Sequence, residues 1–193
     1  MAQQAVSKQL SIQDFVAELR KIPDTAFRRV ETVLQFLTDN PVAADTLDPY
    51  LCWDRQHYTR NLIDKTPHYE LIAICWDIGQ ASSVHNHKDQ NCWMAVPVGR
   101  LQVENYHLVS QDLEKGTCQL ELAETLEMDP THPCAVDPND PVHGVLNPRE
   151  FNQRAVSLHV YSQPFDSCVV YSPEQGTCGE IELHYTTEYG KRS

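Results

Sequence analysis

The sequence predicts a mainly β protein, a small β-barrel or jelly roll of short strands behind N-terminal helices. Three observations carry this. Apolar residues recur at helical spacing only ahead of Tyr50. Beyond it, short segments alternate apolar and polar side chains or run apolar for about the length of one strand. Turn signals separate those segments, namely Lys115-Gly116 and the four prolines between 130 and 141.

The elements follow in order. Ser11-Ile-Gln-Asp14 has the form of a capping box with Asp as its acid, ahead of Phe15, Val16 and Leu19. Asp24 is the expected cap of a second helix, in which Phe27, Val30, Val33, Leu34 and Leu37 make one apolar stripe, and Asn40-Pro41 ends it. A short third helix is expected over 42–47. Tyr69-Glu-Leu-Ile-Ala-Ile-Cys-Trp76 reads as a mostly apolar strand. Alternation predicts strands at Leu101, Val103, Asn105 and His107, at Val156, Leu158 and Val160, and at Ile181, Leu183 and Tyr185. The Lys115-Gly116 turn would join segments 103–109 and 118–123, and 130–141 reads as a loop.

At 193 residues the chain fits one domain, 1–193, with a helical part over 1–50 and the barrel over 51–193. A net charge of -12 argues against nucleic acid or an anionic membrane as partner. The first ten residues hold no apolar h-region of a secretory signal, and no apolar run reaches the length of a membrane span. Seven cysteines, an odd number without C-x-x-C, point to reduced thiols and a cytoplasmic protein, expected to be a monomer. Cys168 and Cys178 are the thiols expected to be exposed.

Three histidines stand out, His85 and His87 in Gly79-Gln-Ala-Ser-Ser-Val-His85-Asn-His87, and His143 in Asp140-Pro-Val-His143-Gly. On a strand, residues i and i+2 point to one face, so the first pair can share a metal. A third imidazole from a distant strand would close one face of the coordination sphere and leave the other open, as in non-haem Fe(II) oxygenases. By ligand type alone Zn, Ni and Cu suit imidazole as well. His107 and His184 read as ordinary strand residues, and His57, His68 and His132 as loop or surface residues.

The spacing Gly79, five residues, His85-x-His87, Cys92, six residues, Gly99 resembles the first motif of the cupins, with Cys92 where a glutamate usually stands. Pro138, His143 and Asn147 keep part of the second motif, with Asp140 in place of its glycine. Together with Tyr58-Thr-Arg60-Asn61-Leu62 upstream and Ser157-Leu-His159-Val-Tyr161-Ser-Gln-Pro-Phe-Asp downstream, the chain resembles the cysteine dioxygenases from about Asp54 onward. The fold implied is the cupin-type small β-barrel.

The resemblance implies that His85, His87 and His143 hold Fe(II), that L-cysteine and O2 are the substrates, and that both oxygen atoms end on sulfur as cysteine sulfinic acid, the second rung of thiol oxidation. A neutral three-histidine site suits an anionic ligand such as a thiolate. Arg60 would fix the substrate carboxylate as a two-toothed fork, with Tyr58 adding a hydroxyl. Ser157, His159 and Tyr161 would form a hydrogen-bonded relay toward the metal, and Trp76 and Leu183 would lie near the pocket. Cys92 would lie beside Tyr161, and the two can be joined by a thioether, as in many family members. Relatives acting on 3-mercaptopropionate tend to carry Gln at the Arg60 position, so Arg60 favours cysteine over that alternative. A non-catalytic metal-binding cupin would have no use for the relay and Cys92, while a cupin isomerase or a different metal, Zn or Mn, stays open, since the ligand list does not choose among metals. Where the family often reads Tyr-Ser-Pro-Pro, with a cis bond before the first proline, this chain has Tyr161-Ser162-Gln163-Pro164. A cis bond before Gln163 would cost about 2.5–4 kcal/mol, so the local turn is expected to differ.

Overall fold

The computed structural model describes residues 9–192. The stretch through Lys8, most of the segment read for a secretory signal, lies outside the described residues. Helix α1 spans Ile12–Leu19 and helix α2 spans Val30–Asp39. Thirteen strands follow: β1 Thr59–Lys65, β2 Glu70–Trp76, β3 Val84–His85, β4 Asn91–Val98, β5 Leu101–Asp112, β6 Thr117–Met128, β7 Cys134–Ala135, β8 Val142–Leu146, β9 Ala155–Ser162, β10 Ser167–Ser172, β11 Thr177–Glu182, β12 Thr187–Glu188 and β13 Lys191–Arg192.

Seven strands form one sheet in the order β13-β12-β1-β2-β9-β4-β7. The other six, β10-β11-β6-β5-β8-β3, pair in a ring that closes where β3 meets both β8 and β10. The mainly β architecture with helices in front is the one the sequence predicts.

The centre of the seven-stranded sheet is buried on both faces. This is why β2 reads as an apolar run without alternation. Its residues divide by the strand period. Leu71 and Ala73 join Val156, Leu158 and Val160 of β9 in a core under the helices, with Ile12, Phe15, Leu19, Phe27, Val33 and Leu37. Ile72, Ile74 and Trp76 point the other way, into an inner cluster with Cys92, Met94, Tyr161 and Val145.

The helices are docked by named contacts. Ser11 caps α1 as expected, its Oγ accepting from the Asp14 N–H at 3.1 Å. Arg20, at the end of α1, donates from Nε and Nη2 to the Asp64 carboxylate of β1 at 3.0 and 2.5 Å, and Tyr69 adds its hydroxyl at 2.5 Å. Burial would push the Asp64 carboxyl up, but these donors hold it below the usual range.

The second predicted helix is two pieces, a 3-10 turn at Asp24–Arg28 and α2 beginning at Val30. Asp24 does not cap it; its carboxylate faces His68 Nε2 at 3.0 Å. The break has a tertiary cause. The Phe27 carbonyl, which a continuous helix would give to residue 31, accepts from Asn91 Nδ2 at 3.1 Å, while the Phe27 ring stacks on Tyr69 at 5.0 Å. The third predicted helix is a pair of 3-10 turns, Ala44–Thr46 and Asp48–Tyr50. The predicted 103–109 and 118–123 strands are longer, the two-residue β7 interrupts the proline-rich loop, and β11 stops before Leu183 and Tyr185. Among the described residues no helix is long and apolar enough to cross a membrane.

Two motif glycines have backbone reasons. Gly79 and Gly99 adopt φ of +84° and +76°, the left-handed region where Cβ is disfavoured. A Cβ on Gly99 would also lie 2.5 Å from the Arg154 carbonyl oxygen. Gly99→Ala is therefore expected to cost about 1–3 kcal/mol of stability, read as a lower urea midpoint, from backbone strain alone. An unchanged midpoint would mean that this turn relaxes freely.

Candidate metal centre

The ring of strands delivers the histidines. His85 on β3 is the direct cross-strand partner of His143 on β8, so their side chains leave the sheet side by side. Their ring centroids are 4.8 Å apart. β3 ends at His85, so the expectation that the whole H-x-H lies on a strand is corrected: His87 sits in the loop beyond it. Asn86, between them, does what the ladder would have done. Its N–H donates to the Val169 carbonyl at 3.1 Å, and its Oδ1 accepts from the Val169 N–H at 3.0 Å. With Asn86 latched to β10, the His87 ring turns back to the cluster, its centroid 5.1 Å from His85 and 4.8 Å from His143.

A ligand atom from each of the three lies within 4.8 Å of the others. His85 donates Nδ1–H to the Ser83 carbonyl at 2.9 Å, which leaves Nε2 with its lone pair for the cluster. His87 and His143 are fully buried, and neither ring nitrogen of either has a hydrogen-bond partner among the described residues. Orphaned imidazole nitrogens this deep are costly unless something accepts their lone pairs. A divalent metal does that, so the three residues fit a metal. Burial pushes all three imidazoles down, His85 to about 4, which keeps them in the neutral, ligating form.

The β9 side chains stand next to this cluster. Ser157, His159 and Tyr161 share the inner face, as their alternation predicts, and all are buried. Trp76 Nε1–H donates to Ser157 Oγ at 2.9 Å; Ser157 Oγ and His159 Nε2 are 2.9 Å apart, and His159 Nδ1 and Tyr161 Oη 3.0 Å. An indole N–H only donates, so Ser157 Oγ accepts from Trp76 and keeps a lone pair and its own hydrogen for His159 Nε2. A neutral imidazole carries one ring proton, so His159 donates in one of its two contacts and accepts in the other. The Tyr161 ring is 5.8 Å from that of His87.

Cys92 on β4 is the direct cross-strand partner of Tyr161 and is buried, its thiol pushed well up by burial. Arg60 lies on the inner face of β1, its guanidinium carbon 6.0 Å from the Tyr161 ring centroid, and its Nε has no partner among the described residues. Tyr58 stacks on Trp76 at 4.8 Å. Leu183 is half-buried outside the inner cluster, its N–H tied to the Asp166 carbonyl at 2.7 Å.

The remaining histidines are peripheral: His57 is exposed, His107 faces Asp140, His132 faces Asp129 and His184 faces Glu182. All seven cysteines are free. Cys168, expected to be exposed, is buried on β10, and Cys178 is half-buried. The expectation of a different turn after the relay is also corrected: the Ser162–Gln163 peptide is cis. The Gln163 N–H, which a proline would lack, donates to Gln90 Oε1.

Sequence reasoning missed Glu70. It is fully buried on β2, directly opposite Tyr161 of β9. Its Oε2 accepts from the Tyr185 hydroxyl, and its Oε1 has no hydrogen-bond partner among the described residues. Burial pushes its carboxyl up, against the charges of Arg60 and Lys65. The signal was one charged residue in an otherwise apolar strand.

The model of the family described as cysteine dioxygenase type I matches residues 1–174. The chain belongs to the cysteine dioxygenase type I family. Relatives bearing the name cysteine dioxygenase type 1 include one from Danio rerio, 27% identical over 195 residues, covering 100% of this chain and 94% of that protein. One from Rattus norvegicus is 28% identical over 166 residues, covering 85% and 78%. One from Homo sapiens is 25% identical over 198 residues, covering 100% and 94%.

The buried imidazoles set an acid limit. For His159, burial lowers the pKa from 6.5 to about 3. Between those values the unfolded chain binds a proton that the folded chain refuses, so stability is full above about 6.5 and falls as pH drops through the window. The unfolding free energy of the metal-free protein, read from urea titrations, should fall between pH 7 and pH 5, by up to about 1.4 kcal/mol per pH unit for each such imidazole. A flat profile would mean that the ring is solvated in the folded state.

Proposed function

We propose that this cysteine dioxygenase family member is an Fe(II)-dependent dioxygenase that oxidises L-cysteine with O2 to cysteine sulfinic acid. The observation that carries the reading is the set of three histidines with orphaned nitrogens, without a carboxylate among them, beside an arginine with an unpartnered Nε. His85, His87 and His143 would hold the iron, which when bound supplies the place where thiolate and dioxygen meet.

The chain's own residues do the rest. Arg60 receives the substrate carboxylate, since a buried guanidinium with a free N–H gains a charge-assisted pair. Tyr58, fixed by its stack on Trp76, adds a hydroxyl donor. Trp76, Ser157 and His159 hold the Tyr161 hydroxyl in place beside the site. Cys92, across the ladder from Tyr161, is the candidate for a thioether to that ring. A cytoplasmic location agrees with seven free thiols.

The rival substrate is another small thiol acid, such as 3-mercaptopropionate. Oxygen uptake and product mass with cysteine, 3-mercaptopropionate, cysteamine and homocysteine, side by side on iron-loaded protein, test the reading. Cysteine should give the sulfinate fastest, and cysteamine, which lacks a carboxylate, should be poor. Arg60→Ala should weaken cysteine binding about 10- to 150-fold, the worth of roughly 1.5–3 kcal/mol for a hydrogen bond to a charged group. Equal turnover of cysteamine and cysteine would remove Arg60 from substrate binding.

The thioether has its own readout. Peptide mass spectrometry after many turnovers should find the Cys92 and Tyr161 peptides joined, lighter by two hydrogens than the separate pair, and never in Cys92→Ser. Failure of that species to appear in the unmodified protein would mean that sulfur and ring do not react.

A further inference from the structure

A thiol that binds a metal as thiolate loses a proton, and so would the substrate's ammonium group if its amine bound too. Resting on the function proposed above, a base inside the enclosed site would take such a proton without a path to bulk water, and the groups facing the inner cluster can be tested one by one. Arg60 on β1 is a permanent cation. Tyr58, Tyr161 and Cys92 hold their protons at neutral pH, since burial raises all three. His159 is engaged at both ring nitrogens, and its chain ends on the buried indole of Trp76, which can pass no proton on. Glu70 remains.

The geometry fits. Glu70 shares the inner face of β2 with Ile72, Ile74 and Trp76 by the strand period. Tyr161 is its neighbour across the β2–β9 ladder, and the Arg60 charge acts on it. Its Oε1 is buried and unpartnered, whereas Oε2 is held from the other side by Tyr185. Lys65, across the β1–β2 ladder, donates to Tyr185 at 3.1 Å and stands 3.9 Å from Oε2 with a side chain 41% exposed. One oxygen of the carboxylate thus lies enclosed and unpartnered on the side of the inner cluster, and the other is held from the Tyr185 rim.

We propose that Glu70 accepts and holds a proton released by the bound amino thiol, with Oε1 as the receiving atom. The S–H or N–H bond breaks with its electron pair staying on sulfur or nitrogen, and an O–H bond forms on Glu70. Nothing is oxidised or reduced in this step. When product leaves, the proton returns to its amine or passes to solvent at the Tyr185 rim.

The test is anaerobic calorimetric titration of the iron-loaded protein with cysteine in buffers of different ionisation enthalpy, which counts protons delivered to the buffer. The unmodified protein should deliver roughly one proton fewer per cysteine bound than Glu70→Gln. A protonated-carboxyl infrared band should appear on binding in the former and be missing in the latter. Tyr185→Phe keeps the carboxylate but removes a donor that favours its ionised form, so proton uptake should extend to higher pH. Equal proton counts in the unmodified protein and Glu70→Gln, or an unshifted pH range in Tyr185→Phe, would overturn the assignment of Glu70 while leaving the dioxygenase reading intact. Failure of the unmodified protein to bind cysteine would overturn both.

Discussion

The register of β9 between β2 and β4 governs the rest of the molecule. One face of β9 presents Val156, Leu158 and Val160 to the helices; the other presents Ser157, His159 and Tyr161 to the interior. A slip by one residue would exchange the two sets. Hydrogen-bonding side chains would meet the helix core, and valines would face the histidines. The apolar face under α1 and α2 therefore does more than stabilise the sheet, because its fit to the helices also sets the positions of the polar side chains behind it.

The polar interior is arranged so that few groups are left without partners. Asn147, a residue of the second histidine motif, donates from Nδ2 to the carbonyls of Trp76 and Asp77 at 3.3 Å and of Gln153 at 2.9 Å. It thus ties the end of β8 to the end of β2. Against that background the unpartnered atoms are informative. They fall on His87, His143, Arg60 and Glu70, with Asn147 Oδ1 besides. Unmet hydrogen-bonding capacity on this scale, clustered in one interior, marks where other molecules are to be received.

The strand face bearing the relay was legible in the sequence because Ser157, His159 and Tyr161 alternate, and alternation survives any tertiary context. The mainly β architecture was legible for the same reason. The histidine spacing picked out the three residues that cluster but not their support: His87 is placed by Asn86 and β10, a contact 83 residues away in sequence. The second helix was misread because its apolar stripe is continuous through Phe27 and Val30, whereas the break comes from Asn91 on a distant strand. Glu70 was passed over because a single carboxylate in an apolar run has no periodicity to announce it.

The Asn86 latch has a mechanical consequence. It fastens His87 to β10, and β10 is bound to β11 through six paired residues, from Ser167 with Glu182 to Ser172 with Thr177. β11 touches β6 at the single pair Thr177 and Thr117. The ring is thus thick between β10 and β11 and thin at two joints, this one and the single β3–β8 pair of His85 with His143. Thermal opening that begins at the first joint can part β6 from β11 while β10, Asn86 and His87 move as one body. Parting β3 from β8 would instead separate His85 from His143 directly, so the histidine cluster is sheltered from one of the ring's two thin joints and built on the other.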